Sequence, residues 1–211
     1  MVLCPGIILN MNTDSPQATA FFAEYIKRFL SENKAADYLE KALSDCGVGL
    51  MPLVDHCTLR TLDVNKRAED LLSRGFSQDQ NMGVLEFDNW WAKVYRKPGY
   101  PTLFVDQAFE GKRGEPSLIP EWVHTHGDQR FHHIAVLVED IEHAIEKLKS
   151  RGIEFAGQIV GEPNTDLRQI FTKPEIKNGK AFTVLELIER HNGYQGFLPP
   201  QADGLMESSR L

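Results

Sequence analysis

The sequence predicts an α+β fold in which two βαβββ modules curl into an open barrel around a cleft, with an N-terminal helical hairpin packed outside. Three observations carry this. The stretch Val54–Asp63 is answered 77 positions later by Phe131–Asp140, with His56 on His133, Asp63 on Asp140, Arg74 on Arg151 and Gly75 on Gly152. Coincidences at one ungapped offset mark an internal duplication, which outranks any local reading. Each copy then offers a strand, an Asp cap, an amphipathic helix, an Arg-Gly stop and three more strand candidates. One copy alone would leave a sheet face bare; two side by side can cover it.

The chain divides into a helical segment (1–48), a first module (49–112), a linker rich in Gly, Pro and charge (113–129), a second module (130–191) and a tail (192–211). In the first segment Asp14 or Ser15 can cap a helix with Pro16 in its first turn. Phe21, Phe22, Tyr25, Ile26, Phe29 and Leu30 then recur at helical spacing and form one apolar face. A second helix follows over Lys34–Ser44, stopped by Gly47. This pair is expected on the outside of the first repeat. Asp63 caps a helix over Val64–Arg74, and strands follow at Gly83–Phe87, Trp91–Arg96 and Thr102–Ala108. The second copy gives a helix over Ile141–Arg151 and strands at Glu154–Ile159, Leu167–Thr172 and Ala181–Glu189.

Bulk properties exclude several classes. The 211 residues are 42% hydrophobic and 25% charged, ordinary values for a globular chain. A net charge of −7 without a basic block argues against nucleic acid or an acidic membrane surface as partner. Cys4, Cys46 and Cys57 lack zinc-type spacing and fit a reducing cytoplasm. Met1–Asn12 has no basic start and no long apolar run, so no signal peptide is expected. No run reaches the roughly 20 apolar residues of a membrane span. The expectation is a soluble cytoplasmic protein, with a homodimer as the candidate assembly and a small-molecule 2-oxo acid and O2 as partners.

Three residues point to a metal. A lone strand histidine is usually a satisfied core or edge residue, but His56 and His133 sit at repeat-equivalent places, each introducing an apolar strand. Glu186 lies between Leu185 and Leu187, and alternation puts it on the opposite face from both. A buried carboxylate without a partner is costly, so it asks for a cation. Two imidazoles and one carboxylate from three strands make a facial triad with three open positions. A 2-oxo acid can chelate there through carboxylate and keto oxygen while O2 binds beside it. Fe(II) suits this because it can pass electrons to oxygen; Zn, Ni or Mn are the alternatives. His132 should point away, on the other face of its strand.

Other residues leave two readings each. Arg60 shares a face with His56, roughly 13 Å along an extended strand. It either clamps the far carboxylate of a dicarboxylic 2-oxo acid bidentately or pairs with Asp63 or Glu86 at the strand end. Gln169, on one face with Phe171, either enters the cleft or bridges strands. His124 and His126 read as surface residues of a loop, and Cys57 as core packing. The tail is too rich in Gly and Pro for an element, yet its Tyr194 and Phe197 suggest a lid over the cleft as readily as a docked end.

This arrangement resembles the vicinal oxygen chelate superfamily of glyoxalases and extradiol dioxygenases. The resemblance implies that His56, His133 and Glu186 are the metal ligands. Leu167–Pro174 together with Leu185–Arg190 is similar to the closing module of the 4-hydroxyphenylpyruvate dioxygenases, which implies an iron-binding Glu186 and a substrate-facing Gln169. His56–Asp63 and the tail from Gly196 to Gly204 are similar to segments of the 2-oxoadipate dioxygenase/decarboxylase family. That likeness implies an Arg60 gripping a substrate carboxylate, and backbone N–H groups near Gln201 meeting the substrate.

The resulting expectation is a non-haem Fe(II) dioxygenase that oxidatively decarboxylates a 2-oxo acid, with Arg60 and Gln169 acting on a substrate also touched by Phe171, Phe197 and Gln201. A Zn or Ni glyoxalase or epimerase is the alternative. It wants a fourth protein ligand from the first module, where Asp106 and Glu110 are candidates and Phe109 holds the repeat-equivalent place of Glu186. A non-catalytic small-molecule binder of the same fold is the third reading.

Overall fold

The structure, a computed structural model, describes residues 15–209. Asp14 and the Met1–Asn12 stretch, where no signal peptide is expected, lie outside the described residues. Helices α1 (Pro16–Glu32) and α2 (Lys34–Asp45) form the hairpin. Ser15 stands at the N-cap of α1 but makes no side-chain cap bond. Asn33 joins the two helices, accepting from the Ala36 N–H at 3.0 Å and donating to Thr183 Oγ1 at 3.3 Å. The hairpin does not sit on the first repeat alone. Phe22 packs on Phe76 and Tyr100 of the first module, while Phe21 and Tyr25 pack on Phe131 of the second. The apolar face of α1 is broad enough to straddle the seam.

The first module runs β1 (Val54–Arg60), α3 (Val64–Ser73), β2 (Ser77–Gln78), β3 (Val84–Glu86), β4 (Trp90–Arg96) and β5 (Thr102–Ala108). Then comes α4 (Ile119–His126), where the sequence suggested only a linker. The second module runs β6 (Phe131–Leu137), α5 (Ile141–Lys149), β7 (Phe155–Val160), β8 (Leu167–Thr172), β9 (Ile176–Lys177), β10 (Lys180–Ala181) and β11 (Val184–Arg190). Asp63 accepts from the Lys66 N–H and Asp140 from the His143 N–H, so both copies use the same cap. Gly75 and Gly152 follow the two helices at φ of 81° and 79°, a conformation glycine adopts without strain.

The main sheet has the order β2-β4-β5-β1-β6-β11-β8-β7, with β3 also on β4. The modules meet where β1 pairs antiparallel with β6. In each module the first strand runs parallel to the last, β1 with β5 and β6 with β11. The outer strands do not meet, so the barrel is open. Alternation sorts the side chains: Cys57, Leu59, Leu103, Val105, Ile134, Val136, Leu185 and Leu187 join the helix-covered core. Their polar neighbours face the concave side.

The tail is not irregular. Pro199 and Pro200 open α6 (Pro199–Ser208), their missing N–H groups costing nothing in a first turn. Helix α6 crosses the mouth of the barrel. Leu205 packs with Phe171 and Val184 of the second module, while Asp203 accepts from Trp90 Nε1 of the first at 3.1 Å. Among the described residues no helix is long and apolar enough to cross a membrane.

Candidate metal centre and cleft

Three central strands bring His56 (β1), His133 (β6) and Glu186 (β11) together, all buried. Glu186 Oε2 lies 3.4 Å from His56 Nε2 and 3.2 Å from His133 Nε2, and the two Nε2 atoms are 3.3 Å apart. One ligand atom from each lies within 4.8 Å of the others, a geometry that could hold a metal ion. The donor set fits a cation on a further ground: Glu186 Oε1 is buried without a hydrogen-bond partner among the described residues. Without a cation the charges settle unevenly. Burial works against protonating His56, but Glu186 and Asp55 outweigh it and push the imidazole up to about 9. Burial, and then the positive charge on His56, hold His133 well below the usual histidine range.

Behind His56 stands Asp55, which sequence reasoning passed over. It accepts from His56 Nδ1 at 2.8 Å and is gripped by Arg190 at 2.7 and 2.9 Å. Burial opposes its charge, yet these bonds hold it below the carboxylate range. Its place directly before a candidate ligand was the available signal. His132 departs from expectation. It lies beside His133, its Nδ1 3.0 Å from His133 Nδ1, because a β-bulge breaks the alternation on β6.

The cavity beside the triad holds about 50 Å³ and is reached by Arg60, Gln169, Phe171, Phe197 and Met206. Gln169 therefore enters the cleft. Phe171 lies 5.0 Å from the His133 ring and Phe197 5.0 Å from that of His56. Arg60 pairs with neither Asp63 nor Glu86; Asp63 caps α3 and Glu86 binds Arg113. Its guanidinium is buried, with Nη2 donating to Met206 Sδ at 2.9 Å and Nε 3.7 Å from Asp106 Oδ2. Among the described residues that Nε has no hydrogen-bond partner, nor has Asp106 Oδ1. Burial pulls Arg60 down to about 10, Asp106 only partly resisting. Burial likewise lifts Asp106 to about 7 against the pull of Arg60. The sequence offered Asp106 as a candidate fourth metal ligand and not as the partner of Arg60, and Met206 escaped the sequence reading altogether.

Gln201 does not reach this cavity. Its side chain donates to the Leu167 carbonyl and its backbone N–H to that of Leu198, because both are used to start and seat α6. His126 is not on the surface either. It lies on the inner side of α4, between Trp122 and Phe182, and donates through Nε2 to the Ala181 carbonyl. His124 is exposed. The place matching Glu186 also shifts. His56 faces Thr102 on β5 as His133 faces Val184 on β11, so the counterpart of Glu186 is Phe104 and not Phe109. Hairpin β9–β10, inserted before β11, makes a constant offset overshoot. Glu110 is exposed beyond the end of β5.

A fold of paired modules with a candidate metal triad at its seam matches what comparison with known families returns. The chain belongs to the glyoxalase/bleomycin resistance protein/dioxygenase superfamily, whose family model matches residues 29–175. A Caenorhabditis elegans protein is 32% identical over 85 residues, covering 40% of this chain but only 23% of that protein's length. Among solved structures, a Shewanella frigidimarina protein named as a hydrolase superposes with a TM-score of 0.71 at 20% identity, covering 90% of this chain and all (100%) of its own. Hydroxyglutarate synthase from Oryza sativa, in complex with 2-oxoadipate, gives 0.69 at 13% identity over 100% of this chain and 98% of that one. A variant of 4-hydroxymandelate synthase from Streptomyces coelicolor gives 0.60 at 21% identity, over 77% of this chain and 55% of that one. At these identities the likeness is one of fold.

Proposed function

We propose that this chain is a metal-dependent oxygenase that decarboxylates a 2-oxo acid carrying a second, distal carboxylate. The observation that carries the reading is the pairing of a three-residue donor set with a buried, under-partnered guanidinium in one cavity. His56, His133 and Glu186 would hold Fe(II), which would supply electrons to O2 and open positions for the keto-acid head. The chain's own residues do the rest. Arg60 would bind the distal carboxylate in place of Met206, since a carboxylate accepts from both guanidinium arms where a thioether is a weak acceptor. Gln169 and Phe171 would fix the substrate chain, and Phe197 would exclude water from the His56 side.

Helix α6 would act as the lid. Leu205 and Met206 of α6 line the cavity beside the triad and stand between it and the mouth of the barrel. Leu205 and Met206 would therefore withdraw for substrate to enter. The support among relatives is the rice enzyme, whose structure contains 2-oxoadipate. The glyoxalase or epimerase reading is less well served, because Phe104 fills the place of a fourth ligand and Asp106 faces Arg60.

The test is anaerobic metal analysis with oxygen uptake on a series of 2-oxo acids. About one Fe(II) per chain is expected, with occupancy lost in His56→Ala, His133→Ala and Glu186→Ala, and O2 consumption matched by carbon dioxide release. Iron binding without oxygen uptake would favour a non-catalytic binder. Activity with Zn or Ni alone would favour the isomerase class.

A further inference from the structure

Both strands at the seam are bulged, and the bulges correspond. On β1, Val54 pairs with Val136 and His56 with Ala135, which leaves Asp55 as the extra residue. On β6, Thr58 pairs with His133 and Leu59 with Phe131, which leaves His132 as the extra residue. A bulge frees its extra residue from the ladder and re-aims side chains. Each extra residue here reaches the ring of the histidine that follows it. Asp55 Oδ2 lies 2.8 Å from His56 Nδ1, and His132 Nδ1 lies 3.0 Å from His133 Nδ1. The repeat offset joins the two, since 77 positions on from Asp55 is His132. One duplicated position thus has one geometric task in both modules, carried out by different side chains.

The task follows from the donor chemistry. A histidine that offers Nε2 to a cation must carry its proton on Nδ1, and a partner that accepts that proton fixes ring and tautomer together. Asp55 can only accept. His132 is 2% exposed and packs edge-on against Trp122 at 5.5 Å, so its ring is held where it stands. We propose that His132 is a positioning residue for the metal centre, the second module's counterpart of Asp55, and that it accepts the Nδ1 proton of His133 so that Nε2 faces Glu186. The two ligands are then backed unequally: His56 by a carboxylate tied to Arg190, His133 by an imidazole. This inference rests on the reading that His56, His133 and Glu186 hold a metal.

The experiment is Zn(II) binding by chelator competition, with proton and nitrogen NMR of the zinc-loaded histidines, in wild type and three variants. His132→Phe keeps a ring against Trp122 but removes the acceptor. It should weaken Zn(II) binding about 10- to 100-fold and lose the slowly exchanging His133 Nδ1 proton. His132→Gln restores an acceptor and should recover both to within about threefold of wild type. His132→Asp reproduces the first module's arrangement and should bind Zn(II) at least as tightly as wild type. If His132→Phe binds like wild type, or His132→Gln falls as far as His132→Phe, the positioning role is overturned while the metal reading survives. Should His132→Phe fail to fold, weaker binding by His132→Asp than by His132→Gln overturns the role instead. A wild-type protein that binds no Zn(II) or Fe(II) overturns both.

Discussion

Glu186 and Phe104 occupy matching places on the closing strands of the two modules, one a candidate ligand and the other an aromatic ring 5.1 Å from Phe197. The duplicated frame thus offers four inward positions around the seam and fills three with donors. An apolar fourth place would leave a bound metal's coordination open on that side, as the proposed oxygen chemistry needs. Phe104→Glu should close it. Zn(II) affinity is expected to rise about tenfold or more and oxygen uptake to fall by at least as much. Unchanged oxygen uptake in a folded, metal-loaded variant would show that this side of the centre is not where O2 or substrate binds.

What could be read in advance follows the range of the interactions. Asp63 and Asp140 were legible because an N-cap is decided within four residues, and His56 and His133 because the duplication places both beside the seam. Glu186 was legible from alternation taken together with the family resemblance. Bulges defeat alternation, and that is why His132 was put on the wrong face and Asp55 was not seen. Helix α4 carried Ile119, Trp122, Val123 and His126 at helical spacing, a pattern hidden by the surrounding Gly and Pro. Arg60's partners, Asp106 and Met206, come from distant segments that only tertiary packing brings together.

The uneven charges at the triad predict a pH signature for the metal-free protein. His56 is raised from 6.5 to about 9 when folded. Its contribution is therefore complete below pH 6.5 and lost as pH rises through about 9, on the order of 3 kcal/mol. His132 and His133 are depressed, first by burial, so the unfolded chain takes up protons that the fold refuses. Stability then falls as pH drops below 6.5. Urea midpoints of metal-free protein should peak between roughly pH 6 and 7. Metal loading requires a neutral His56 and should remove the alkaline decline. An alkaline limb that is flat without metal would mean Glu186 and Asp55 do not hold a proton on His56.

Helix α6 is latched to the first module through Asp203, which accepts from Trp90 Nε1 at 3.1 Å and from the Asp88 N–H at 3.3 Å. Asp203→Ala should cost about 1.5–3 kcal/mol of local closure. Hydrogen exchange in α6 should accelerate by tenfold or more while the central strands keep their protection. Equal acceleration throughout the sheet would make α6 part of the global folding unit, not a lid that opens by itself.

Arg60 bears most directly on substrate choice. Its guanidinium is 3% exposed, its Nε has no hydrogen-bond partner among the described residues, and its acceptor at Nη2 is a thioether. Replacing Met206 Sδ by a carboxylate adds charge-assisted bonds of about 1.5–3 kcal/mol. Arg60→Leu should keep metal, and it should keep the fold because Asp106, already lifted to about 7 by burial, can stay protonated beside an apolar neighbour. In the Arg60→Leu/Asp106→Asn pair the same result is expected without that protonation. Either variant should lose tenfold or more in kcat/KM for dicarboxylic 2-oxo acids, since about 1.4 kcal/mol is one decade. Monocarboxylic 2-oxo acids have no distal charge to bind and should lose far less. Lysine should rescue only partly, because a point charge cannot reproduce the planar fork. Matched kcat/KM values for the two substrate classes decide it: equal losses would remove Arg60 from the distal site and leave it a structural partner of Asp106.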